Sequence, residues 1–190
     1  MITKTRKTKE TDITISLEIM GSGESNINTG VGFLDHMLES FSKHSLMDIT
    51  INCQGDTHID DHHSVEDIGI VLGSLVAEAL YPIVAMERFG SANIVMDEAC
   101  VGCDLDLSNR PFLVYELDVH GKVGHFDTEL VEEFFRAFVL NARISVHIVA
   151  QRGKNRHHLI EAAFKSLAVA LRRAIAKNER VGIPSTKDVL

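Results

Sequence analysis

The chain contains the same chemical phrase twice, 95 positions apart. His62-His63 is followed by Glu66, and His157-His158 by Glu161, so each of these residues in the first half has a counterpart at that single offset. The surroundings repeat too. Ile49-Thr50-Ile51 stands opposite Ile144-Ser145-Val146, and Ile68-Gly69-Ile70-Val71-Leu72 opposite Ala163-Phe164-Lys165-Ser166-Leu167. A fixed internal period marks units that cannot bury their apolar faces alone and must pack on one another. In a chain of 190 residues the period is half the length. Two fused half-domains are therefore expected, residues 1–92 and 93–190, packed as one compact unit because no low-complexity linker divides them.

Each half reads as strand, loop, H-H-x-x-E and helix. Asp12–Ile19 alternates apolar and polar residues as a half-buried strand does. Gly21–Asn28 reads as a loop, Asp35–Lys43 as a short helix, Met47–Cys53 as a strand, and Ser64–Tyr81 as a long helix stopping before Pro82. Ala92–Met96, Ala99–Leu105 and Phe112–Val119 read as strands, Thr128–Leu140 as a helix, Ile144–Ala150 as a strand and His158–Lys177 as the second long helix. The fold class is α+β, with a small sheet in each half and helices packed on one face.

The repeated phrase carries the chemistry. Residues three or four apart share a helix face, whereas neighbours diverge by roughly 100°. On this reading His63 and Glu66 grip one ion and His158 and Glu161 another, at spacing i, i+3. His62 and His157 then point elsewhere, and across a pseudo-twofold axis each reaches the other half's ion. The upstream helices offer a fourth ligand each: His36 in the first half and Glu133, which aligns with it, in the second. Imidazoles and carboxylates without thiolate suit Mn²⁺, Fe²⁺ or Zn²⁺, whereas Mg²⁺ and Ca²⁺ prefer all-oxygen sites. Capping or solvated histidines are the plain alternative for one doublet, and the identical second doublet argues against it.

Composition narrows the function. A net charge of −8 disfavours nucleic-acid binding. No apolar run approaches the roughly 18 to 20 residues of a membrane span. Met1–Lys9 is basic without the apolar core of a signal peptide, which gives an expectation of cytoplasmic location. The three cysteines do not make a disulfide framework, and Cys100-Val101-Gly102-Cys103 reads as a buried strand with ordinary thiols. Arg88, Arg110 and the Ile183–Lys187 turn are weaker signals, each able to hold an anion. His44, His58, His120, His125 and His147 lack the repeat relationship and read as structural or exposed. On residues alone a dinuclear hydrolase and a metal-storing shell protein stay open beside a metal-dependent lyase. The mixed pattern lacks the four long helices of a storage bundle.

Four segments, Gly30–Leu38, Asp60–Gly69, His157–Lys165 and Ile183–Lys187, together closely resemble the imidazoleglycerol-phosphate dehydratase family of histidine biosynthesis, in its single-function form. The resemblance runs from about Thr8 to the C-terminus. It implies two similar α+β halves with a ribosomal protein S5 domain 2-like plan, and a homo-oligomeric particle of 24 subunits built from trimers, with active sites between subunits. It implies two Mn²⁺ ions per site and a small phosphorylated substrate, with neither nucleic acid nor membrane as partner. One ion would take His36, His63, Glu66 and His157, the other His62, His158, Glu161 and Glu133, the last standing where many relatives carry histidine. The substrate-binding positions are Glu10, His44, Arg88, Arg110, Lys165, Ser185, Thr186 and Lys187, most serving the phosphate. Glu10 would move the proton, and Asp97 would be a second catalytic residue, an acid beside the site. The implied reaction turns imidazole glycerol phosphate into imidazole acetol phosphate through an imidazolate. The expectation here is that a proton leaves the carbon beside the ring and hydroxide the neighbouring carbon.

Overall fold

Strand β2 (Thr11–Glu18) buries every second residue, placing Ile13, Ile15 and Leu17 in the core and their neighbours outside. Period-2 alternation fits one covered and one open sheet face. In the computed structural model, which describes residues 1–187, β2 lies between β1 (Ile2–Lys7) and β4 (Asp48–Gly55), both antiparallel to it. Strand β3 (Ser25–Asn28) adds parallel to β4, giving the order β1-β2-β4-β3. The second sheet repeats this plan: β5 (Phe89–Met96), β6 (Ala99–Asp106), β10 (Ser145–Arg152) and β7 (Phe112–Glu116) run in the order β5-β6-β10-β7, with β7 parallel to β10. A small hairpin of β8 (Lys122–Val123) and β9 (Phe126–Asp127) is an addition of the second half alone.

Helices α1 (Gly32–Ser45) and α2 (His62–Leu80) cover the first sheet, and α3 (Glu129–Ala142) and α4 (Arg156–Ala174) the second. The two helical layers then meet, α1 against α4 and α2 against α3, and one apolar core runs through both halves. Phe41, Phe134, Phe135, Phe138 and Phe164 fill the seam with rings 4.7–6.1 Å apart. Such pairs contribute about 0.5–1.5 kcal/mol each beyond their buried area. No helix among the described residues is long and apolar enough to cross a membrane.

The structure departs from the sequence reading in places. The Gly21–Asn28 loop contains β3, too short to show alternation, and the basic Met1–Lys9 segment forms the edge strand β1. That strand is held by Arg6, whose Nε donates to buried Asp67 on α2 at 2.8 Å. The boundary expected between 92 and 93 falls inside β5. Strand β7 ends at Glu116, short of Val119, and α4 ends at Ala174, short of Lys177. The expected second half also includes residues 188–190, which lie outside the described residues. Cys100 and Cys103 are buried on β6 as free thiols, and burial pushes the Cys103 thiol far above its ordinary range.

Gly90 shows how tightly β5 and α4 are joined, because a Cβ there would collide with the carbonyl oxygen of Ala170. Backbone cannot yield as a flexible side chain can, so Gly90→Ala should lose about 1–3 kcal/mol. Chemical denaturation reads this as a lower midpoint at unchanged slope.

Candidate active site

Helix α1 brings His36 to the seam, and α4 brings His157 and Glu161 to meet it. His36 Nε2 lies 3.5 Å and His157 Nε2 3.1 Å from the same Glu161 oxygen, Oε2. Among the described residues this is the one trio of His, Cys, Asp or Glu whose ligand atoms all lie within 4.8 Å of one another. Glu161 is buried, and Lys165 Nζ holds its other oxygen at 2.7 Å. Burial raises the Glu161 pKa, but the Lys165 hydrogen bond and charge, with His36, carry it below the ordinary glutamate value. Two imidazole nitrogens and an ionised carboxylate oxygen converging from both halves are a donor set that fits a divalent transition metal.

The side-chain pairing within each doublet helix is not the i, i+3 pairing expected. Glu161 pairs with His157 at i, i+4 rather than with His158 at i, i+3, and His62 Nε2 likewise lies 3.8 Å from Glu66. Both spacings share a helix face, and the second histidine of each doublet is drawn off by carboxylates outside its helix. His63 Nδ1 sits 3.1 Å from Asp56, and His158 Nδ1 2.8 Å from Glu98. Their Nε2 atoms face Glu10 and Asp97, each at 3.8 Å. Glu161 therefore shares a trio with His36 and His157, residues expected on the other ion. Glu133, half-buried on α3 and expected with His62, His158 and Glu161, belongs to no such trio among the described residues.

The carboxylate partners shift the protonation of both second histidines. Hydrogen bonding to Asp56 raises the His63 pKa, and hydrogen bonding to Glu98 raises that of His158. Glu98 itself is held at about 2, by His158 first and then by the backbone N–H groups of Asn155 and Lys154. His44 shifts down, through burial and then the nearby charge of Lys165.

A second site lies at the far end of α4. Arg88, Ser108, Arg110, Ser185, Thr186 and Lys187 line a cavity of about 520 Å³. Asp106 presents Arg88, accepting from Nε at 2.7 Å and from Nη2 at 3.0 Å, while Nη1 donates to the Pro184 carbonyl at 2.6 Å. Lys165, expected among the substrate-binding positions, is absent from this lining and pairs with Glu161. A lysine cannot reproduce the fork on Asp106, so Arg88→Lys should raise KM for a phosphorylated substrate at least tenfold and change metal content little. A saturation curve beside a metal assay checks this.

Asp56, Glu98 and Asp106 were missed in the sequence because nothing in their spacing ties them to their partners. His125 was read as structural or exposed. It lines a cavity of about 530 Å³ with Phe33, His36 and Asp61, formed as the β8–β9 hairpin folds over the start of α1.

This is a duplicated α+β fold whose halves meet to gather histidines and carboxylates, with a cavity lined by arginines and a lysine at the other end of α4. Proteins of that description are known, and the match to them is extensive. The chain belongs to the imidazoleglycerol-phosphate dehydratase family, whose model matches residues 29–171. The imidazoleglycerol-phosphate dehydratase of Sulfurimonas denitrificans is 82% identical over 190 residues, all of both chains, and that of a Sulfurovum species 63% identical over the same extent. The crystal structure of the Staphylococcus aureus dehydratase superposes with a TM-score of 0.83 at 44% identity, covering 94% of this chain and all of that one. The one from Pyrococcus furiosus gives 0.85 at 37% identity, covering 98% and all of that chain.

Proposed function

We propose that this chain dehydrates imidazole glycerol phosphate to imidazole acetol phosphate in histidine biosynthesis, with two Mn²⁺ ions per active site. The observation that carries the reading is the cross-half trio of His36, His157 and Glu161, in a chain of this family. When bound, Mn²⁺ supplies Lewis-acid pull at the imidazole ring nitrogens, which gives the ring an electron-rich, deprotonated character. His36, His157 and Glu161 would hold one ion. His62, His63, Glu66, His158 and Glu133 are the remaining candidates for the pair.

The product's connectivity reverses the expected order of bonds. Its ketone sits on the second carbon from the ring, so hydroxide leaves the ring-bearing carbon and the proton leaves its neighbour. The enol formed by these two losses takes a proton back at the ring-bearing carbon and becomes the ketone. Glu10 is the group assigned to that proton transfer, with Asp97 as a second acid. Arg88, Arg110, Ser185, Thr186 and Lys187 hold the phosphate and fix which carbon meets the base.

One copy is not enough for this chemistry. Glu161 and Ala174 are 13 residues apart on α4, about 20 Å at a rise of about 1.5 Å per residue. Arg88 is tied to Ala174, its N–H donating to that carbonyl at 2.9 Å. The substrate spans five bonds from ring to phosphorus, under about 7.5 Å at bond lengths near 1.5 Å. The phosphate pocket of one copy therefore serves the metal centre of another. This supports a homo-oligomer with sites between subunits, the 24-mer built from trimers being the form proposed.

With Mn²⁺ present, the protein should release an enolisable ketone without free phosphate. Inorganic phosphate released in its place would make the chain a hydrolase and overturn the reading. Acid should strip the ions, because protons compete for the imidazole nitrogens. The raised pKa values of His63 and His158 place protonation above the ordinary histidine value of about 6.5. Metal content should therefore fall as the pH is lowered, with His63 and His158 taking protons more readily than an ordinary histidine. Elemental analysis after dialysis at successively lower pH checks the sign.

A further inference from the structure

We propose that Glu98 and Asp56 are positioning residues, each fixing the proton of a doublet histidine on Nδ1 so that Nε2 keeps its lone pair for an ion. The proposal rests on the metal-dependent reading above. A neutral imidazole carries one N–H and one lone pair, and an ionised carboxylate can only accept. With Glu98 Oε2 at 2.8 Å from His158 Nδ1, and Asp56 oxygens at 3.1 and 3.2 Å from His63 Nδ1, the proton belongs on Nδ1 in both. Carboxylate partners of this kind set tautomer and ring orientation in metal-binding histidines.

The two holders do not descend from the duplication. By the matching sheet orders, the β5–β6 turn that carries Glu98 corresponds to the β1–β2 turn that carries Glu10, while Asp56, directly after β4, corresponds to Gly153, directly after β10. Each half has reached the same arrangement from a different place, Asp56 from the loop before α2 and Glu98 from the turn between β5 and β6. Shared ancestry does not explain that likeness, whereas a shared task does.

Glu98 is the sharper of the two. Its Oε1 accepts from the backbone N–H of Lys154 at 3.1 Å and of Asn155 at 2.8 Å, while Oε2 serves the ring. In Glu98→Gln a single oxygen remains. With that oxygen on the backbone groups, the amide N–H₂ faces His158 Nδ1 and drives the ring proton to Nε2, the atom needed for metal. Both Asp56 oxygens face one nitrogen, so Asp56→Asn can turn its remaining oxygen to the ring and should lose less.

The test is Mn²⁺ affinity by equilibrium dialysis for wild type, Glu98→Gln and Asp56→Asn, with ¹⁵N NMR of the histidine rings in metal-free protein. The expected result is a dissociation constant raised about 10–100-fold in Glu98→Gln and less in Asp56→Asn. His158 should be protonated on Nδ1 in wild type and on Nε2 in Glu98→Gln. Unchanged affinity in a folded Glu98→Gln, or an Nε2–H tautomer in wild type, overturns the proposal alone. The wild-type tautomer decides even if a variant fails to fold. Wild type that binds no Mn²⁺ overturns the metal reading and this proposal with it.

Discussion

Replacing His157 by alanine should abolish turnover and strip the metal from the seam between the halves. His157 is the nearest imidazole to Glu161 and stacks edge-on against Phe33, so its removal takes away one donor of three and opens the site to water. Loss of a partner one step removed from a metal costs about 10–100-fold in affinity or activity, and loss of a direct donor should exceed the upper end. The fold should survive, because Lys165 still holds Glu161 and the phenylalanine core lies deeper. Elemental analysis beside circular dichroism reads both effects. A folded His157→Ala protein with full metal content and activity would remove the trio from the account.

Glu10→Gln is the complementary case, with a large effect on rate and none on metal. Glu10 is exposed in the turn between β1 and β2, and its carboxylate stands 3.8 Å from His63 Nε2. The isosteric amide keeps size and hydrogen bonding but cannot accept the proton. General acid–base groups contribute about 10²–10⁴-fold, so kcat should fall by that factor while KM and Mn²⁺ content stay near wild type. A fall in metal content would make Glu10 a ligand. Near-normal kcat would take it out of the proton transfer.

The parts of this molecule legible in the sequence are those governed by local periodicity. The 95-residue offset gave the duplication, and the matching sheet orders follow from it. Helices α2 and α4 were readable because their apolar residues recur at helical spacing over many turns, whereas β3, at four residues, is too short for any period. The histidines and glutamates of the site stood out by their repetition. Their pairing did not, since i, i+3 and i, i+4 share a helix face and the choice rests on Asp56 and Glu98, which arrive from distant loops. The pocket lined by Arg88 and Lys187 showed the same division: both were visible as cations in turns, but Asp106, which aims Arg88, lies 18 positions away on a strand.

The proposed activity requires that the folded halves hold metal at their seam. The most direct measurement is the transition-metal content of the purified protein, taken with its mass in solution. About two ions per chain in a particle of many subunits is the predicted result, with both lost on acidification. A metal-free protein that still makes the ketone at full rate would contradict it.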